Sequence, residues 1–460
     1  MRLSPAQRIR GRLRLPGDKS ISHRAALIGA MADEPFEISN FSTARDCAST
    51  LSCLRDLGVS FEHKDGKVRF AGAQNLESPV KALDCGNSGS TMRMLAGVLA
   101  GHDITAELVG DESLSSRPMR RIIEPLELMG AKIEATGGKP PLRIRGCKKP
   151  NPIAYELPVA SAQVKSAILF AGLNADGRTT VIERSPSRDH TERLFNGFGV
   201  AVNTNDDLTV TLDGPSHFSG GAITIPGDIS SAAYFIAAAV MLPGSELVIE
   251  GVGLNPTRSA FLSVLRSWGA DISTTDFRME RNEPVGTITV RGGIGEAEHD
   301  ADRVLGGNKV PLLIDELPLL AVVGTQVPGG IEIRDAAELR LKESDRLAAT
   351  AQNLRAMKAN VEETADGLHV LGPTKLRGAL IDSFGDHRIA MAFSIAALLA
   401  DGETQIRGSE SAAVSFPEFF ELLHSVTERG NLTTRSSSLD SWVAAKRKSH
   451  GRSRVGSESA

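Results

Sequence analysis

Cations and small hydroxyl residues recur at equivalent points along this chain. Lys19, Ser20, Ser22 and Arg24 follow the turn LPGDKS. Asn87, Ser88, Gly89, Ser90, Thr91 and Arg93 fill the turn after LDC, with Arg117 further on. Ser161, Gln163 and Lys165 open a third stretch that later carries Arg188; Arg340, Lys342 and Arg346 belong to a fifth, His387 and Arg388 to a sixth. Each group sits where a turn feeds a helix, and a helix N-terminus presents free N–H groups and a positive dipole end. That repetition points to a site for a small molecule with several negative charges. The GNSGST turn is not a nucleotide P-loop, because no Lys follows its last glycine. Acids are sparse beside these cations. Asp315 opens IDELP and Glu343 lies in LRLKESDR, where Lys342 and Arg346 are four apart and would share a helix face. Asp315 also reads as an N-cap, Glu343 as an ordinary i,i+3 partner of Arg346, and His387 as a cap or buttress of its helix. A carboxylate among cations keeps a low pKa and can act as a base at neutral pH.

The elements that position these residues repeat six times. The openings are LPGDKS, LDCGNS, LPVAS, IPGDISS, IDELP and IDSFGD. Each starts with a short apolar strand and a turn. A small-residue helix follows, then a β-branched strand and a second, amphipathic helix, and then another strand. The first helices (AALIGAMA, AAYFIAAAVML, IAMAFSIAALLA) are apolar nearly all round and should be buried. The second helices should end at Gly58, Gly130, Gly199 and Gly269, where a glycine takes the left-handed C′ conformation; the fifth ends at MKAN without one. Strand–helix alternation implies an α/β fold. Six units exceed one core, so three plus three, about 210 residues each, predicts two large domains.

The 460 residues carry 52 Lys and Arg against 56 Asp and Glu, a net charge of −4 that argues against a nucleic-acid binder. No apolar run is long enough for a membrane span, and the Arg-rich start lacks the apolar core of a secretory signal. Cys47, Cys53, Cys85 and Cys147 form no CxxC pair and no metal-ligand spacing, and read as reduced thiols in a cytoplasmic protein. The segment RIRGRLRL alternates as a strand that must pair somewhere. Residues 429–460, Ser-rich and basic, read as a disordered tail.

Taken together, LPGDKSISHRA, LDCGNSGSTMR, SSRPMRR, ASAQVKSA, SRDHTE, IDELPLLA, ELRLKESDRL and GDHRIAMAF resemble, in order, the motifs of the enolpyruvyl transferase family. The resemblance covers about Leu13 to Val426, and ASAQVKSA looks like the divergent second class of the branch that acts on shikimate 3-phosphate. It implies two similar domains, each of three βαβαββ units in an inside-out α/β barrel. The chain would cross between them near Gly17 and Gly227, giving 1–17 plus 228–428 and 18–227. The implied reaction is transfer of the enolpyruvyl group of phosphoenolpyruvate to the 5-hydroxyl of shikimate 3-phosphate with release of phosphate. No metal or organic cofactor, nucleic acid or membrane is implied, and a monomer is expected.

Carried over by motif, Lys19, Ser20, Arg24, Ser161, Ala162, Gln163, Arg188, Asp315 and Lys342 would hold shikimate 3-phosphate. Lys19, Gly89, Arg117, Gln163, Arg346, His387 and Arg388 would hold phosphoenolpyruvate. Asp315 would accept the 5-hydroxyl proton, Glu343 would deliver one to the methylene carbon, and Lys19 would touch both substrates. The herbicide glyphosate would occupy the phosphoenolpyruvate site. The chain departs from many members at Val414, where they carry a Lys, at Ala162 for Ser and at Glu338 for Asn. A sister enzyme acting on UDP-N-acetylglucosamine is expected to have Lys-Asn in its first motif, where this chain has Lys19-Ser20. A binding protein that had lost catalysis would have replaced Asp315, Glu343 or Lys19.

Overall fold

A computed structural model describes residues 1–295 and 303–429; the 430–460 part of the expected tail lies outside the described residues. The fold is mixed α/β. Six buried helices follow the six openings: α1 (Lys19–Met31), α2 (Gly89–Ala100), α3 (Ala162–Gly172), α4 (Ile229–Met241), α5 (Leu317–Gly324) and α6 (His387–Leu399). Five are capped by a side chain at the turn: Asp18, Ser88, Ser161, Asp228 and Asp386 each accept a backbone N–H of the first turn. Before α5 the chain instead makes the short helix Val310–Leu313, and Glu316 rather than Asp315 is the residue that precedes α5. The N-cap alternative for Asp315 therefore falls.

Gly58, Gly130, Gly199 and Gly269 do take positive φ after the second helices. In the fifth unit Lys358, at φ 69°, occupies the same conformation. The shared helix face expected for Lys342 and Arg346 does not exist. Asp345 caps a helix that begins only at Arg346, and Lys342 precedes it in extended conformation.

The described residues form six sheets. The repeat is plain in the sheet of Leu83–Asp84, Thr105–Val109, Lys139–Arg145 and Lys132–Thr136, which has one parallel pairing followed by two antiparallel ones. Two openings exchange sheets. β1 (Arg8–Arg14) leads into α1 but lies parallel to β4 (Glu246–Gly253), whereas β3 (Gly221–Thr224) leads into α4 but lies parallel to β2 (Phe36–Ser39). The two connections touch at a bridge between Gly17 and Gly227. A Cβ on Gly17 would stand 1.9 Å from the carbonyl oxygen of Asn40, so the crossing requires glycine.

Two cores result. One holds Ile21 through Ile225; the other holds Leu3, Ile9, Leu13 and Leu15 together with Ile229 through Val426. Within the first, α2 and α3 pack so closely that a Cβ on Gly97 would lie 2.2 Å from Ala167 O. The hairpin Ala270–Glu280/Glu283–Ile294 ties the lobes together. Its tip residue Arg281 donates to Ala222 O at 2.9 Å and stacks 4.7 Å from the Phe198 ring centre. Below the tip, Glu283 accepts from the buried His190 at 2.7 Å. No described helix is long and apolar enough to cross a membrane.

Candidate active site

The six helix openings converge on a cleft of about 490 Å³ between the two cores. The turn into α1 contributes Lys19, Ser20 and Arg24; that into α2, Gly89; that into α3, Ser161, Ala162 and Gln163. Arg117 and Arg188 complete this lobe's side, and Asp315, Lys342, Glu343, Arg346, His387 and Arg388 face them. Every residue given a substrate or catalytic role by motif lines this one cleft, whereas Ser22, Ser88, Thr91, Lys165 and Arg340, named with the cations and hydroxyls at the turns, do not. Val414, in the short helix Ser409–Val414, does not.

Arginines of both lobes hold the two acids. Asp315 accepts from Arg188, contacts Arg388 at 3.3 Å and Arg346 at 3.5 Å, and its backbone carbonyl takes a further hydrogen bond from Arg388 at 3.0 Å. Glu343 lies 2.6 Å from Arg346 and 3.4 Å from Arg117. The i,i+3 pair of Glu343 with Arg346 is thus real, but it is one side of a larger cluster. Burial would raise both carboxyls; Arg388 and Arg188 around Asp315, and Arg346 with His387 and Arg117 around Glu343, override it and hold both well below the usual range. Arg346, 1% exposed, also binds Asp386 at 2.8 Å, and these carboxylates keep it charged despite burial.

Lys19 donates to Asp46 at 2.8 Å. Burial acts to lower the Lys19 pKa, but Asp46 outweighs it and the net shift is upward. Arg24 is fully engaged, donating to Ser20 O, Thr191 and Ser166 at 2.7–2.8 Å, and burial lowers it to about 10. Gln163 bridges Arg93 at 2.6 Å and Ser90 at 2.8 Å. Lys342 meets Glu338 at 3.3 Å, and Arg121 reaches Glu338 across the cleft at 3.7 Å.

Asp46 and Arg258 are cleft residues that reading the openings missed. Asp46 lies in the first turn of the helix Arg45–Asp56. Arg258 precedes the helix Ala260–Ser267 and clasps both Asp18 at 3.5 Å and Asp228 at 3.6 Å. The signal for Arg258 was the repeated PGD at 16–18 and 226–228, two identical caps that one cation joins.

His387 begins α6 rather than capping it, and burial, with Lys19 nearby, lowers it to about 4. His23, paired with Thr50 at 2.7 Å among Asp46, Lys19, Arg24 and Asp18, is lowered by burial to about 3. Both are neutral when folded and protonate when unfolded. Their stabilisation is complete above pH 6.5 and is lost as the pH falls toward 4, by about 3 kcal/mol each at that pH. Asp315 and Glu343 stay charged over this window. Urea midpoints should therefore fall between pH 7 and 4.5 less steeply for His23→Asn than for the unmodified protein; parallel curves would contradict the assignment.

Two lobes of α/β repeats enclosing a cleft that gathers arginines around two carboxylates define a protein that brings two anions together. The family model for EPSP synthase (3-phosphoshikimate 1-carboxyvinyltransferase) matches residues 3–423. The 3-phosphoshikimate 1-carboxyvinyltransferase of Koribacter versatilis is 50% identical over 432 residues, covering 93% of this chain and 99% of that protein. That of Solibacter usitatus is 49% identical with the same coverage. The structure of an EPSP synthase from Acinetobacter baumannii superposes with a TM-score of 0.81 at 40% identity, covering 93% of this chain and 98% of that one. The chain belongs to the EPSP synthase family.

Proposed function

We propose that the cleft holds shikimate 3-phosphate against the α1 and α3 openings and phosphoenolpyruvate against Arg117, Arg346 and Arg388, with Asp315 and Glu343 between them. The chain is a 3-phosphoshikimate 1-carboxyvinyltransferase. It transfers the enolpyruvyl group of phosphoenolpyruvate to the 5-hydroxyl of shikimate 3-phosphate and releases phosphate, a step of the shikimate pathway. The observation that carries the assignment of roles is that arginines from both lobes bind the same two carboxylates.

Those contacts bear directly on the chemistry. A carboxylate held by three arginines is a feeble base, and one held by two cannot carry a proton at neutral pH. The substrates bring phosphate and carboxylate groups that pair with arginine in bidentate fashion. As these anions draw charge from Arg117, Arg188, Arg346 and Arg388, the pKa values of Asp315 and Glu343 rise. Glu343 then protonates C3 of phosphoenolpyruvate, and C2 becomes cationic. The 5-oxygen attacks C2 while Asp315 takes its proton. The tetrahedral adduct loses phosphate from C2, the departing phosphate taking the proton held by Asp315, and a C3 proton returns to Glu343. Lys19, kept charged by Asp46, lies beside both reactants.

Residues 1–17 with 228–428 and residues 18–227 form the two domains of an inside-out α/β barrel, a division supported by the two cores and the exchanged strands. The enzyme works as a cytoplasmic monomer, and glyphosate competes for the phosphoenolpyruvate site. Assays of phosphate release test the reading. Release should require both substrates and fall at least ~100-fold in Lys19→Met. Release from phosphoenolpyruvate alone would overturn it.

Gly89 offers a sharper probe of the same site. A Cβ there would meet Arg93 Nη1 at 2.8 Å and Arg117 Nη1 at 3.4 Å, so a methyl presses on two guanidinium groups at the mouth of α2. Gly89→Ala should raise the inhibition constant for glyphosate more than the KM for phosphoenolpyruvate. Equal rises would reject a selective effect.

A further inference from the structure

Lys165 looks from the sequence like another cation facing the anion site, but it does not line the cleft. Its side chain is buried in α3, 1% exposed as a residue, and its ammonium lies 2.6 Å from both Glu183 and Glu192. Burial acts against its charge, and the two carboxylates more than restore it.

The positions of those carboxylates matter. Glu183 immediately follows the strand Gly177–Ile182, and Glu192 is in the first turn of the helix His190–Gly197. One ammonium therefore fastens both ends of the intervening loop. Ser185, Ser187 and Arg188, which line the cleft, are on that loop. Ser187 donates to the other oxygen of Glu183, and Arg188 reaches Asp315 in the opposite lobe. Thr191, next to Glu192, accepts from Arg24 at 2.7 Å and shares a hydrogen bond with Ser166 at 2.6 Å. Lys165 is also one turn into the helix whose N-terminus presents Ser161 and Gln163. It thus joins two walls of one pocket from behind.

We propose that Lys165 is a positioning residue for shikimate 3-phosphate: its ammonium ties both ends of the 183–192 segment to α3 and so sets Ser185, Ser187 and Arg188 opposite Ser161 and Gln163. The inference rests on the placement of shikimate 3-phosphate given above. Here the ammonium and two carboxylates tie α3 to both ends of that segment, contacts that an apolar side chain of the same length cannot make.

The test is steady-state phosphate release by the unmodified protein, Lys165→Met, Glu183→Gln and Arg188→Met, with thermal midpoints measured alongside. Lys165→Met should raise the KM for shikimate 3-phosphate about tenfold or more, while the KM for phosphoenolpyruvate at saturating shikimate 3-phosphate stays within about twofold. Glu183→Gln, which keeps the pair with Glu192, should raise the same KM about threefold. A lowered midpoint with an unchanged KM for shikimate 3-phosphate in Lys165→Met would reduce the residue to a structural role and overturn the proposal. If Lys165→Met does not fold, an unchanged KM in Glu183→Gln overturns it. Arg188→Met with an unaltered KM, or an unmodified protein that releases no phosphate, would strike the placement of the substrate itself and the inference with it.

Discussion

Asp315→Asn is expected to lower turnover about a thousandfold, the scale of a lost general base, while the KM for shikimate 3-phosphate does not rise. The two effects separate because Asp315 has two relations to its surroundings. In the proposed mechanism it is the proton acceptor for the reacting hydroxyl, and an amide cannot take that proton. Toward Arg188, Arg346 and Arg388 it is a resident counter-anion that an incoming phosphate or carboxylate must displace. Asparagine keeps an acceptor oxygen for Arg188 but gives up the charge, so the arginines become more available to the substrate. A variant that loses turnover and binds no worse marks Asp315 as a base. A KM that rises in step with the fall in turnover would make it a binding group only, and the proton would need another acceptor.

Arg346→Met is expected to be the most disruptive single change in the cleft, because it acts on stability as well as rate. This buried guanidinium touches Asp386, Glu343 and Asp315. Asp386 in turn caps α6 and accepts from Ser344 at 3.1 Å. Breaking a buried ion pair by removing one partner costs about 3–5 kcal/mol, which corresponds to roughly 6–20 °C in thermal midpoint for lobes of this size. Turnover should fall at least about a thousandfold, since Glu343 loses its nearest cation and, in the proposed placement, phosphoenolpyruvate loses a bidentate partner. Arg346→Lys separates the two effects. It restores a charge for the carboxylates but not the planar fork, so the midpoint should largely recover while the KM for phosphoenolpyruvate stays high. Full recovery of both in Arg346→Lys would show that only charge matters at this position.

The parts of this molecule that were legible in the sequence are those built from neighbours along the chain. The six openings, the left-handed glycines after the second helices and the small-residue buried helices all follow from local pattern. So do most of the cations at the turns, because a turn into a helix places its first residues at the cleft. The reading fails where a local rule meets a stronger local competitor. Lys342 and Arg346 have helical spacing, but Asp345 caps the next helix and moves its start to Arg346. It fails again where the partner is remote. Lys165 has the composition of an anion ligand; that it turns inward is decided by Glu183 and Glu192, two elements later. Asp46 and Arg258 belong to the cleft through Lys19, Asp18 and Asp228, and no spacing in their own segments announces it.

The exchanged strands set an order on how the molecule is made. β1 leaves the ribosome before the residues of the 18–227 core, yet its neighbour across Arg10–Arg14 is Glu246–Glu250. At synthesis rates of about 5–20 residues per second, that partner arrives roughly 10–50 s later. By then residues 18–227 have emerged and can collapse into their own core, leaving β1 unpaired. A bare strand is a template for pairing with the wrong chain. Arg8, Arg10, Arg12 and Arg14, on alternate positions of β1, give the waiting segment a row of like charges. In the finished protein two of them are taken up by Glu250, at 2.6 Å from Arg12 and 2.8 Å from Arg14. The arginines that form ordinary surface ion pairs in the native state would, by the same charge, oppose such mispairing in the nascent chain.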